Sequence, residues 1–182
     1  MGSHFEPAFD LVGRPDAIQP AYAFYALFVV IGLGLLAVSI IMWRLKNSRR
    51  WWLLPFSVVW LGFTTTMAVA DARAALQIRD AVRLGQFQTM EGCLAAFHPG
   101  SPSGSRSTAG DEVWSVNGQR FEYGQGEVRP AYHTVEGAGG AVHADTKVRV
   151  SFVFSSFYGG EEIVGLWVIP HACPFAPDTS PP

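Results

Sequence analysis

The residues able to do chemistry gather in the second half of the 182-residue chain. His98, His133, His143 and His171 all lie there, with Asp145 two positions after His143. Imidazole and carboxylate together are the parts of a zinc site or of general acid–base catalysis. No pair of them shows the HxxxH or HExxH spacing that sets two imidazoles on one helix face. His133 and His143 would meet only as strand neighbours across the Gly137–Gly140 turn, with Asp145 beside them. A histidine-based metal site or membrane-bound enzyme built on His133, His143 and Asp145 therefore stays as the alternative reading. Solvated loop histidines, with no metal and no cofactor, are the simpler one.

Nucleophiles are no better placed. The serines cluster in 101–107, inside HPGSPSGSRSTAGD, a Ser/Gly/Pro run without apolar period that reads as a flexible loop. GSPSG has proline where a nucleophile elbow needs serine, so no catalytic residue is assigned. Cys93 and Cys173 are the two cysteines, without a CxxC motif. In an oxidising compartment an even pair reads as a disulfide. Closing a loop of about 80 residues would be worth roughly 4–5 kcal/mol on the chain-entropy model. The alternative is two buried thiols that never meet.

The compartment follows from the elements ahead of them. Residues 21–43 and 51–70 carry no charge, and about 20 apolar residues of helix cross a hydrocarbon core. Both segments read as transmembrane helices. The first is too long for a signal peptide, follows an acidic tail and lacks a small-residue cleavage site. In the second, Pro55 falls in the first turn, where a missing N–H costs little, and Thr64–Thr66 can bond back to helix carbonyls. The loop 44–50 holds Arg44, Lys46, Arg49 and Arg50 and carries +4, against −2 for the tail 1–20 and −4 after residue 70. Short basic loops stay cytoplasmic. Trp43, Trp51 and Trp52 flank the loop as an interfacial belt would. The expectation is a multi-pass protein of the bacterial inner membrane with both termini on the periplasmic side.

Residues 71–86 continue the second helix as an amphipathic stalk ending near Gly85. From 87 to 173 the texture is short strands with turn punctuation. FQTMEGCLAAF (87–97) reads as one strand. VWSVNGQRFEY (113–123) flanks Asn117-Gly118, the dipeptide of a type I′ hairpin, with Val113, Phe121 and Tyr123 facing inward. AYHTVEGAGGAV (131–142) is a weaker strand broken at its glycines, KVRVSFVFSSF alternates, and EEIVGLWVIP (161–170) is last before a frayed tail, 174–182. Five or six short strands suit a small, mostly antiparallel OB- or SH3-like barrel, because closure removes edges. The fold class expected is thus membrane α+β, a transmembrane hairpin followed by that barrel.

The string EGCLAAFHP, then EVWSVNGQRFEY, GGAVHADTKVRVSF and IVGLWV, resembles the C-terminal region of an uncharacterised family of two-helix bacterial membrane proteins. There a strand beginning Glu-Gly precedes a V-x-G-x-x-F-x-Y hairpin, a Gly-Gly turn and a V-R-V strand. The likeness covers roughly 88–168. It implies the OB-like scaffold and the topology, and carries over no catalytic residue. The paired cysteines and a longer insert at 155–162 depart from the pattern.

With net charge −4 and one lysine after residue 70, the outer domain lacks the basic footprint that phosphates require, which excludes nucleic acid. Gly32, Gly34, Ala37 and Ser39 form a small-residue surface where another helix could approach, and Tyr132 and His133 a possible contact strand, as is the 98–111 loop. The function these readings favour is a non-enzymatic accessory or interaction protein, set in the bilayer and joined to a membrane-protein partner or to copies of itself.

Overall fold

A computed structural model describes residues 4–45, 52–100 and 110–177. The chain divides into two compact units, residues 19–76 and residues 1–18 with 77–182.

The first unit is a helical hairpin. Helix α1 spans Tyr22–Arg44 and α2 begins at Leu53 and runs to Arg83, contributing its residues up to Leu76 here. Both are long and apolar enough to cross a membrane. Their large apolar side chains, among them Leu27, Val30, Leu33, Val59 and Phe63, point outward and are exposed. The positions buried between the helices are small or polar: Gly32, Ser39, Ser57 and Thr64. A Cβ on Gly32 would lie 2.6 Å from the Leu61 side chain and 2.9 Å from that of Trp60, so only glycine permits this approach. The Ser39 and Ser57 hydroxyls meet at 3.2 Å, and Trp60 Nε1 donates to the Phe28 carbonyl at 3.2 Å. At the open end the buried Asp71 carboxylate accepts the Ala21 N–H at 3.0 Å. This satisfies an amide at the N-terminal end of α1 that no helical carbonyl reaches.

The expected small-residue surface is thereby divided. Gly32 and Ser39 are buried against α2, whereas Gly34 and Ala37 are exposed and a Cβ on Gly34 would meet nothing within 4 Å. At 100° per residue, positions 32 and 39 share one helix face and 34 and 37 another. Of the basic loop, Arg44 closes the last turn of α1. Lys46, Arg49 and Arg50 lie outside the described residues, as do residues 101–109 of the expected mobile loop.

Among its described residues the second unit holds seven strands in two antiparallel sheets. They are β1 (Glu6–Asp10), β2 (Gln88–Cys93), β3 (Ala96–His98), β4 (Asp111–Val116), β5 (Gln119–Gly124), β6 (Lys147–Ser155) and β7 (Gly160–Ile169). One sheet has the order β1-β7-β6-β2 and the other β3-β4-β5. Among the described residues no closed barrel forms. The outer edge of β7, which closure would need, is occupied by β1, a strand from the segment expected to be an N-terminal tail. The expected strand 87–97 is in fact two, because the chain changes sheets at Leu94-Ala95. The expected strand 131–142 is a loop around a 3-10 turn, Glu136–Ala138, ended by Gly139 at φ 89°. Next to it, Gly140 lies so near the Thr134 carbonyl that a Cβ would stand 2.4 Å away.

The hairpin at Asn117-Gly118 is as read, with φ 50° and 83°, the two positive angles of a type I′ turn. Its inward face is Glu112, Trp114, Val116, Phe121 and Tyr123; Val113 lies on the other side, half exposed. These side chains pack against Val148, Val150, Ile163 and Leu166 of the larger sheet, with Phe121 edge-on to Phe152 at 5.2 Å. The opposite face of the larger sheet is covered too, by Leu11, Ile18, Ile78 and Val82 around Val164. A strand buried on both sides shows a continuous apolar run, which is why β7 reads IVGLWVI without alternation. Helix α2 ends as expected at Gly85. This residue adopts φ 68°, and Gln86 N donates to Ala81 O at 2.8 Å and Gly85 N to Val82 O at 3.1 Å. That is the Schellman pattern.

Candidate functional site

Cys93 and Cys173 are bonded, with Cα atoms 5.7 Å apart across 80 residues. The bond ties the end of β2 to the segment after β7. That segment is then laid along the domain by three backbone bonds: Cys173 N to Asp145 O at 3.1 Å, Ala176 N to Ala144 O at 2.9 Å, and Phe97 N to Pro177 O at 3.1 Å. Beside it opens a cleft of about 840 Å³, within the 300–1,000 Å³ typical of ligand sites. Phe97, Ala141, Ala144 and Val168 line its inner part, and Pro170, Phe175 and Ala176 one wall. Phe175 is 81% exposed, an unusual position for phenylalanine beside an apolar cleft.

The polar lining is acidic and imidazole-bearing: Glu6, Glu136 and Asp145 with His143 and His171. His143 Nδ1 lies 2.7 Å from Glu136 Oε1, and His171 Nδ1 is hydrogen-bonded to Asp145 Oδ2. A carboxylate at Nδ1 fixes the tautomer and the ring orientation. The His171 bond holds the Asp145 carboxyl below the ordinary range. The two imidazoles are placed by turns: His143 N donates to Thr146 Oγ1 at 3.1 Å, and His171 sits at φ 54°, in the left-handed region that histidine enters more readily than most residues.

Beneath Glu136 lies a buried polar chain. Trp114 Nε1 donates to the Tyr123 hydroxyl at 3.0 Å, the hydroxyl donates to Glu112 Oε1, and Glu136 N donates to Glu112 Oε2. A third donor to this carboxylate is Gly100 N, where a Cβ would collide with Val135 at 2.6 Å. Glu112 has no exposed surface. Burial pushes its carboxyl up to about 7 although the bonds from Tyr123 and Glu136 oppose the rise, and burial also raises the Tyr123 hydroxyl well above its usual value. One carboxylate thus pins β5, the 3-10 turn and the chain at Gly100 to β4, and sets the backbone from which the Glu136 side chain faces the cleft.

His143 and Asp145 both reach the cleft but in different pairs. His133 turns back on its own backbone, with Nδ1 2.7 Å from Ala131 O. Among the described residues no three His, Cys, Asp or Glu side chains stand close enough to hold a metal ion. Tyr132 is not a contact surface. It is buried in the core, its ring 5.5 Å from that of Tyr123 and its hydroxyl accepting the Ala141 N–H at 2.9 Å. The residues missed from the sequence are Glu112, Glu136 and Phe175. For Glu112 a signal existed, since alternation in DEVWSV sets it on the face of Trp114 and Val116. No protein-family model, no curated protein and no solved structure matches this chain.

Proposed function

We propose that the chain is a membrane-anchored accessory or interaction protein, a subunit of a larger membrane assembly. The hairpin crosses the bacterial inner membrane with Arg44, Lys46, Arg49 and Arg50 on the cytoplasmic side, and the β unit with its cleft lies on the periplasmic side. The observation that carries the anchoring is the inverted burial of the hairpin. Large apolar side chains face out while Gly32, Ser39, Ser57 and Thr64 are enclosed. In water the reverse holds, whereas small and polar contacts between helices suit a hydrocarbon surround. The basic loop supports the orientation and the disulfide supports an oxidising compartment. The scaffold resemblance points the same way.

The β unit supports binding by its shape, an open apolar cleft with a polar rim. Two tests belong together. The full chain should remain in the membrane pellet through alkaline carbonate. A photoreactive residue in place of Phe175 should give a discrete adduct in native membranes, and one at Val128, exposed but outside the cleft lining, should not. Extraction by carbonate, or identical adducts from both positions, would overturn the reading.

A second reading, a histidine-based enzyme, is favoured by one observation: both imidazole–carboxylate pairs border the same cleft. A carboxylate-oriented imidazole is the usual general base. Loss of a membrane-borne activity in His143→Ala and His171→Ala variants, with adducts from Phe175 unchanged, would move the assignment there.

A further inference from the structure

The charge of the cleft is one-sided. Glu6, Glu136 and Asp145 line it, and among the described residues no lysine or arginine does. The basic residues of β6 are paired elsewhere: Lys147 Nζ and Arg149 Nη2 both bind Glu91, at 2.7 and 3.0 Å. His143 engages Glu136 through Oε1, and a carboxylate has a second oxygen to offer a bidentate donor. The Glu136 side chain is about one-third exposed, so that oxygen can be approached without dismantling the fold. Next to these acids stand the buried faces of Phe97 and Val168 and the uncovered ring of Phe175. An aromatic face beside carboxylates suits a planar cation, which stacks on the one and bonds the other.

The geometry also says how a polypeptide would enter. Strand β1 is a sheet edge next to the cleft, but it carries Pro7 and its pairing slips between Pro7 and Phe9. Proline and a register break are what blunt an edge against strand addition. An incoming segment is therefore held by side chains, not by extending the sheet. The cleft is open and near the upper end of ligand-site volumes, which fits several residues better than one small amine.

We propose that the cleft receives an arginine-bearing apolar segment of a partner polypeptide, with its guanidinium on Glu136 and Asp145 and its neighbouring side chains on Phe97, Val168 and Phe175. This rests on the interaction-protein reading and names the chemistry of its partner. Glu6 adds a third, exposed carboxylate at the rim, which favours approach of positive charge.

The test uses the full, disulfide-bonded chain in lipid nanodiscs, with the imidazole signals of His143 and His171 followed by NMR. The probes are three peptides, acetyl-Leu-Arg-Val-Arg-Leu-Ala amide and its counterparts with Gln or Glu in place of both Arg. The Arg peptide should shift both imidazoles and bind about tenfold or more tightly than the Gln peptide, the scale of a charge-assisted bond. The Glu peptide should leave both signals in place. In the double variant Glu136→Gln, Asp145→Asn the Arg peptide should lose its advantage over the Gln peptide. The Glu112 anchor survives this change because it uses the Glu136 backbone N–H. Equal affinity of the Arg and Gln peptides, tighter binding of the Glu peptide, or no shift with any of them at concentrations up to about 5 mM, a ΔG near −3 kcal/mol, would overturn the proposal. If adducts from Phe175 persist in that case, the interaction reading stands and only the arginine preference falls. If they are lost as well, both fall.

Discussion

The two units of this chain solve burial in opposite ways. In the hairpin the enclosed side chains are small or polar and the large apolar ones face outward; in the β unit Trp114, Phe121, Ile163 and Leu166 are enclosed. Polar groups follow the same inversion. Ser39 and Ser57 satisfy themselves locally, each hydroxyl donating to the carbonyl four residues back at 2.7 Å, so their meeting is a light contact. Glu112 instead collects donors from three distant segments, so removing it strands all of them. The difference teaches that stability in the β unit rests on a few long-range ties, whereas the hairpin rests on close, individually small contacts between its two helices.

The largest effect should come from the longest tie. Replacing Cys93 and Cys173 by serine should lower the stability of the β unit by about 4–5 kcal/mol, the chain-entropy value for a loop of this length, as read by urea titration of tryptophan fluorescence. The hairpin, which contains neither cysteine, should keep its helicity unchanged. Next is the anchor. Glu112→Ala leaves the Tyr123 hydroxyl and two backbone N–H groups buried without their acceptor. Each such loss costs about 1–3 kcal/mol, so a cost of at least about 3 kcal/mol is expected by the same titration. A cost below about 1 kcal/mol, within the range of ordinary surface changes, would show that the polar chain is not what holds the loop.

The same carboxyl gives the two units different pH responses. Its folded pKa, about 7, exceeds the ordinary 4.5, so between these values the folded state binds more protons than the unfolded one. Stability of the β unit must then rise as pH falls from 7 to 5, by about 2 kcal/mol from this group, and the gain should vanish in Glu112→Gln. Glu162, fully buried and also raised by burial against the opposing pull of Arg129, acts in the same direction. Below pH 4 the trend should reverse, because Asp145 and Glu91 are held below their ordinary values and lose their partners on protonation. The smallest effect should be in the hairpin. Gly32→Leu overpacks the contact with Trp60 and Leu61 and should cost about 1–3 kcal/mol. Gly34→Leu, with open space around its Cβ, should leave the isolated hairpin unchanged. It should instead weaken association with a neighbouring helix, seen as a smaller assembly in mild detergent.

Much of the hairpin was legible in the sequence because length and lack of charge suffice to predict two long apolar helices. The turn at Asn117-Gly118, the helix end at Gly85 and the disulfide were legible for the same kind of reason, since each depends on one or two residues with few alternatives. The arrangement of sheets was not. Whether β7 closes a barrel depends on what reaches its edge first, and the segment that does, Glu6–Asp10, is separated from it by two helices. The cleft itself was not legible. His143 and Asp145 stood out as reactive types, but their partners Glu136 and His171 are set by a 3-10 turn and a left-handed residue, neither of which has a period to read. Glu112 carries a charge, which alone suggests a solvent-facing position, although its register with Trp114 and Val116 places it inside.

The proposal that the chain is anchored with its β unit outside the cytoplasm is tested most directly by labelling intact cells with a membrane-impermeant thiol reagent. Because both native cysteines are bonded, a cysteine introduced at Ser180 or at Ser48 would be the single reactive thiol in each variant. The account predicts labelling of Ser180→Cys in intact cells, and labelling of Ser48→Cys after the membrane is opened but not before. Labelling of Ser48→Cys and protection of Ser180→Cys in intact cells would contradict it.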